Sequence, residues 1–205
     1  DDHLTRADAA LWRRRTDVAE RLLPYVAPTR QAVIAARIAF QRKVPDASLK
    51  MGPADPVGVM DAGYLADKTR WMIDKGDSVG ARAMLAGRPQ LIGQPSDAEK
   101  WYELLLAQAR AAANDGQWAA AYAIASKADD AFAPGTDVSL QSLGVRDDYT
   151  SLAWLAGTTA LNKLGRPAGA QGMFAGYATG ARSPQSVSKG YYWAGRAAQA
   201  AGRAP

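Results

Sequence analysis

Helix stops punctuate this sequence at Thr16, Pro45, Gly76, Gly116, Gly165 and Gly202, and they constrain the fold more than any other feature. Each follows an aromatic-containing helical segment, and Ala-rich amphipathic segments come after them. The intervals are 29, 31, 40, 49 and 37 residues. Irregular periods near those of helical repeats predict an α-solenoid, a superhelix of tetratricopeptide-like hairpins. No hairpin of this kind buries its apolar face alone, so stacking on its neighbours has to supply the core. Alanine makes such stacking close. There are 44 alanines against 10 valines and 5 isoleucines, a ratio that favours helices over strands. The expected fold is all-α, one superhelical domain over 1–205 with a sub-boundary at 51–60.

In chain order the first hairpin runs from Leu4 to Arg15, breaks at Thr16-Asp17, where either residue can cap, and continues from Val18 to Leu23. The second spans Thr29 to Lys43, with Val33, Ala36, Ile38 and Phe40 apolar, and a Gly/Pro-rich loop from Met51 to Pro56 follows it. The third joins Asp61–Lys75 to Ser78–Ala86 across Gly76-Asp77. A capping box at Ser96-Asp97-Ala98-Glu99 opens the fourth, which runs to Asn114 and resumes from Gln117 to Lys127. After a loop from Asp129 to Arg146 come helices over Asp147–Leu164 and Pro167–Thr179, then a final one from Pro184 to Ala201.

Composition removes whole classes of chemistry. Without cysteine, and with His3 as the one histidine, there is no disulfide framework, no thiolate nucleophile and no zinc site of the usual kind. The three glutamates, Glu20, Glu99 and Glu103, lie in surface or capping settings, and no phosphate loop or nucleophile elbow occurs. Asp129-Asp130 and Asp147-Asp148 border the long loop and read as capping or solvating acids, the remote alternative being metal binding. No catalytic, cofactor-binding or metal-ligating residue is therefore assigned. The net charge of +5 is spread over both halves, without the basic stripe that nucleic-acid binding needs. Arg13-Arg14-Arg15 reads as a solvated helix end. No apolar run is long enough to span a bilayer. Asp1-Asp2-His3 lacks the regions of a signal peptide, so the chain is either cytosolic or already processed. The helical pattern begins at once, and Gly202-Arg203-Ala204-Pro205 is a stop with nothing after it. Both ends read as cuts within a longer protein.

Trp154 with Gly157, and Trp193 with Gly195, set a large ring beside a small residue on one helix, as tetratricopeptide hairpins do where a partner helix approaches closely. Trp12, Trp71, Trp101, Trp118, Trp154 and Trp193 read as one core ring per hairpin, the alternative being a carbohydrate-stacking set. Several stretches then resemble the superhelical domain of the soluble lytic murein transglycosylase family. They are Ala9-Ala10-Leu11-Trp12 with Ala19 to Leu23, Ala35 to Arg42, Tyr64 to Trp71 with Gly76-Asp77, Ala121 to Ala125, Trp154 to Gly157 with Leu161, and above all Lys189-Gly190-Tyr191-Tyr192-Trp193-Ala194-Gly195-Arg196-Ala197-Ala198.

The resemblance implies a periplasmic location and a non-catalytic scaffold whose parent cleaves MurNAc–GlcNAc bonds of peptidoglycan to 1,6-anhydro products. The implied partners are glycan strands and the parent's own linker and lysozyme-like catalytic domains. The family's catalytic Glu-Ser pair has no counterpart here, since Glu20, Glu99 and Glu103 precede Arg21, Lys100 and Leu104. Tyr192 and Arg196 share a helix face and are the candidate docking pair for the following domains, unless both pack on the preceding helix. The alternative function is a tetratricopeptide-like adaptor that grips a peptide or partner helix.

Overall fold

A computed structural model describes residues 2–202, so Asp1 and the terminal Arg203-Ala204-Pro205 lie outside the described residues. Among those described the chain is all-helical, as expected, with eleven α-helices, short 3-10 turns and no strand. It divides into two compact units, Asp1–Trp101 and Tyr102–Pro205. The first holds α1 (Asp2–Trp12), α2 (Thr16–Leu22), α3 (Pro28–Arg42), α4 (Met51–Gly58), α5 (Ala62–Asp74) and α6 (Ser78–Ala86). The division falls within α7 (Ala98–Asn114), and α8 (Trp118–Ala125), α9 (Leu143–Asn162), α10 (Pro167–Gly180) and α11 (Pro184–Ala200) follow.

The expected loop at 51–60 is instead helical over α4. Pro53 falls in the first turn, where backbone N–H groups have no intrahelical acceptor anyway, and the helix ends two residues after Pro56. The predicted stops at Gly76, Gly116, Gly165 and Gly202 all adopt left-handed backbone, with φ of 87, 72, 60 and 72°. The first two stops work differently. Arg14 and Lys43 take that conformation, at φ 59 and 55°, a few residues before Thr16 and Pro45. Neither Thr16 nor Asp17 caps α2; Asp17 pairs with Arg15 and Arg21. At α7 the cap is Asp97, which accepts from the Lys100 amide at 3.0 Å, whereas Ser96 donates to Asp8.

In the first unit α3 is sandwiched. Ile34 and Ile38 face Leu11 and Ala19 of α1 and α2, while Val33, Ala36 and Phe40 face Ala54 and Tyr64 of α4 and α5. Between these two apolar clusters lies a buried ion network. The Arg37 Nε donates to Asp67 Oδ2 at 2.8 Å, its Nη1 donates to Asp8, and the guanidinium lies 5.9 Å from the Trp12 ring centre. Gln41 Nε2 donates both to Asp67 Oδ2 and to the Leu11 carbonyl, each at 2.9 Å. Burial opposes the charge on Arg37, yet Asp67, Asp8 and Asp61 together raise its pKa. Gly63 makes room for this arrangement, because a Cβ there would collide with the guanidinium.

In the second unit α10 lies against both α9 and α11 through small residues. A Cβ on Gly157 would stand 2.7 Å from the Phe174 ring, and one on Gly190 would stand 2.8 Å from the Ala178 backbone. Gly157 thus packs closely, as its spacing from Trp154 predicts. Gly195 does not: a Cβ there meets nothing within 4 Å. The buried stripe of α11 is Gly190, Ala194, Ala197 and Ala198, and Gly195 lies off it. Gly157→Leu and Gly190→Leu are therefore expected to lower stability by about 1–3 kcal/mol. Gly195→Leu should cost no stability and is expected to gain up to about 1 kcal/mol, because an interior helical glycine with open space beside it carries an entropic penalty that a side chain relieves. Denaturant midpoints of the three variants check this, and a loss for Gly195→Leu equal to the others would refute it.

Candidate functional site

The second unit carries a cleft of about 570 Å³ between the side chains of α9, α10 and α11, with Arg110 of α7 at its edge. Its floor is one stripe of α9. Asp147, Thr150, Ser151, Trp154, Leu155 and Thr158 recur at three- and four-residue steps and so share a helix face. Tyr177 of α10 and Ser186 and Lys189 of α11 complete the lining. The helices are set by their caps: Ser142 accepts from the Val145 amide at 3.4 Å, and Ser183 from the Ser186 amide at 3.1 Å, with Pro184 in the first turn. A neighbouring depression of about 330 Å³ shares Asp147, Thr150, Tyr177 and Ser186 and adds Arg146 and Arg182.

Trp154 is half-buried, its ring centre 5.2 Å from those of both Phe174 and Tyr177, and 6.3 Å from that of Trp193. The Lys189 Nζ stands over it at 3.6 Å from the ring centre and 5.4 Å from that of Tyr177. Neither Lys189 nor Arg110 meets a carboxylate partner among the described residues, and both are exposed. The hydroxyls of Thr150 and Thr158 donate to the carbonyls of Arg146 and Trp154, each at 2.9 Å, which leaves their lone pairs as acceptors. The Arg146 Nε is buried without an acceptor. The cleft is thus a mildly cationic, hydroxyl-lined groove with an aromatic wall.

Of the residues singled out in the sequence, Trp154 and Trp193 are brought together with Phe174 in the core of this unit. Tyr192 and Arg196 lie on the outer side of α11. Both are exposed, Tyr192 by 58%, and Arg196 Nη1 donates to the Tyr192 hydroxyl at 3.3 Å. The six tryptophans are not equivalent core rings either, since only Trp12 and Trp101 are fully buried. Glu20, Glu99 and Glu103 are exposed, and a bidentate pair with Arg42 holds the Glu20 carboxyl below its usual range. Tyr177, Ser186 and Arg110 carried no sequence signal. Lys189 stood in the most specific stretch of the resemblance without a role.

Among the described residues no group of three His, Cys, Asp or Glu side chains is placed to hold a metal ion, and no helix is long and apolar enough to cross a membrane. No protein-family model, curated protein or solved structure matches the chain.

Proposed function

We propose that the chain is a helical scaffold segment of a periplasmic peptidoglycan lytic transglycosylase. Its hairpins stack as a tetratricopeptide-like solenoid that holds a glycan strand for the parent's catalytic domain. The observation that carries this reading is helix α11. It contains the stretch Lys189 to Ala198 on which the family resemblance chiefly rests, and it serves two surfaces at once. Lys189 enters the groove beside Trp154, while Tyr191, Tyr192 and Arg196 face outward with two exposed aromatic rings. A groove of ring faces, hydroxyl acceptors and unpaired cations suits a polymer of sugars that carries peptide carboxylates. An outward Tyr-Arg pair suits the docking of a following domain.

Incubation with purified sacculi is expected to carry the chain into the pellet and to release no 1,6-anhydro ends. A chain that stays in the supernatant at low salt overturns the proposal, and so does release of anhydromuropeptides above that of a heat-denatured control. Because the chain's net charge is only +5, retention should weaken but not vanish as salt rises.

A further inference from the structure

We infer that the groove on the second unit takes a carboxylate-bearing saccharide, with Lys189 and Arg110 receiving the carboxylate and the Trp154 face beneath Lys189 receiving the sugar ring. The inference rests on the glycan-scaffold reading and names the part of the strand that the groove holds. Its starting point is an imbalance of charge. Arg110 and Lys189 line the cleft and Arg146 and Arg182 line the depression that continues it, against the single acid Asp147.

The Lys189 ammonium lies on a ring face, 3.6 Å from the Trp154 centroid. A π face attracts the charge but leaves N–H donors without an oxygen acceptor, so an incoming carboxylate offers Lys189 the stronger partner. Moving the ammonium onto that carboxylate uncovers the indole, and an exposed indole face is a stacking surface for the C–H side of a pyranose. The anion therefore prepares the ring site. The hydroxyl oxygens of Thr150 and Thr158 have their protons engaged by the α9 backbone, so they accept from sugar hydroxyls. A long polyanion such as nucleic acid fits less well, because the four cations that line the cleft and the depression continuing it are too few to follow an extended phosphate backbone.

The test uses soluble peptidoglycan fragments that retain their stem peptides, and a neutral N-acetylglucosamine oligomer of the same length that carries no carboxylate. Fragments with stems are expected to bind and to quench tryptophan fluorescence. Lys189→Met and Arg110→Met should each weaken that binding by about ten-fold, and Lys189→Arg should retain most of it. Both side chains are exposed, so unchanged unfolding midpoints are expected to accompany the loss. Equal binding of both glycans by the parent chain and both Met variants overturns the carboxylate site and leaves the scaffold reading standing. Binding of neither glycan, with or without capture of a nucleic-acid or phosphate polyanion, overturns both.

Discussion

Arg37→Met is expected to lower the stability of the first unit by about 3–5 kcal/mol, the scale for removing one partner of a buried ion pair. Arg37 is 1% exposed and its principal partner Asp67 is 3% exposed, so the variant leaves a carboxylate sealed away from water with only Gln41 and the more distant Arg70 to satisfy it. The loss exceeds that for a typical apolar truncation because two things fail together. The uncompensated charge is one. The other is that Asp8 on α1 and Asp67 on α5 no longer share a partner on α3, so three helices lose their common polar contact. Arg37→Met with Asp67→Leu should lose less than Arg37→Met alone, because an apolar pair needs no hydration. Gly63→Ala reaches the same site from outside, by pushing the guanidinium off its acceptors. Guanidinium titrations of the three proteins decide the matter. A loss below about 1 kcal/mol for Arg37→Met would show that the charge is hydrated after all.

That network was hidden in the sequence for a definite reason. Asp8, Arg37 and Asp67 are 29 and 30 residues apart, and no local pattern ties them. One sign was present: Arg37 occupies the apolar stripe of α3, four residues after Val33 and one after Ala36, where a charge needs a buried partner. Legibility elsewhere tracks how local the cause is. A glycine in left-handed backbone ends a helix through its own lack of a Cβ, and the glycine stops fell where expected. Arg14 and Lys43 adopt the same backbone although nothing about a long cationic side chain announces it. The all-helical class follows from alanine content, which acts residue by residue. Which glycine admits a neighbouring helix depends on rotation about the helix axis, and there Gly190 took the place expected of Gly195. The groove shares this non-local character. Trp154 was legible as a ring that packs, but Lys189 meets it from a helix 35 positions further along, so only the folded chain puts a cation on that ring.

Alkaline pH is expected to unfold the chain well before its backbone chemistry becomes limiting, and the cause is three buried tyrosines. Tyr64 donates to Asp55 at 2.5 Å, Tyr102 to the Ala128 carbonyl at 2.8 Å, and Tyr149 to Asp129 at 2.9 Å. Burial first, and the adjacent carboxylates second, raise the pKa of Tyr64 and of Tyr149; burial first, then Tyr149 and the Asp130 and Asp129 charges, raise that of Tyr102. The sign follows directly. Below about pH 10 these phenols are protonated in both states and contribute no pH dependence. Above it the unfolded chain loses protons that the folded chain keeps, so unfolding releases protons and stability falls as pH rises. Each phenol that ionises only on unfolding removes about 1.4 kcal/mol per pH unit. The second unit holds two of the three and should lose about twice as much per unit as the first. Tyrosinate absorbance followed beside circular dichroism tests this, since the ionisation of these phenols should coincide with loss of helix. Tyr102→Phe and Tyr149→Phe provide the sharper check. Each removes a hydrogen bond worth about 1 kcal/mol at neutral pH, yet each should flatten the decline above pH 10. A decline as steep in the double variant as in the parent chain would mean that other groups drive the alkaline transition.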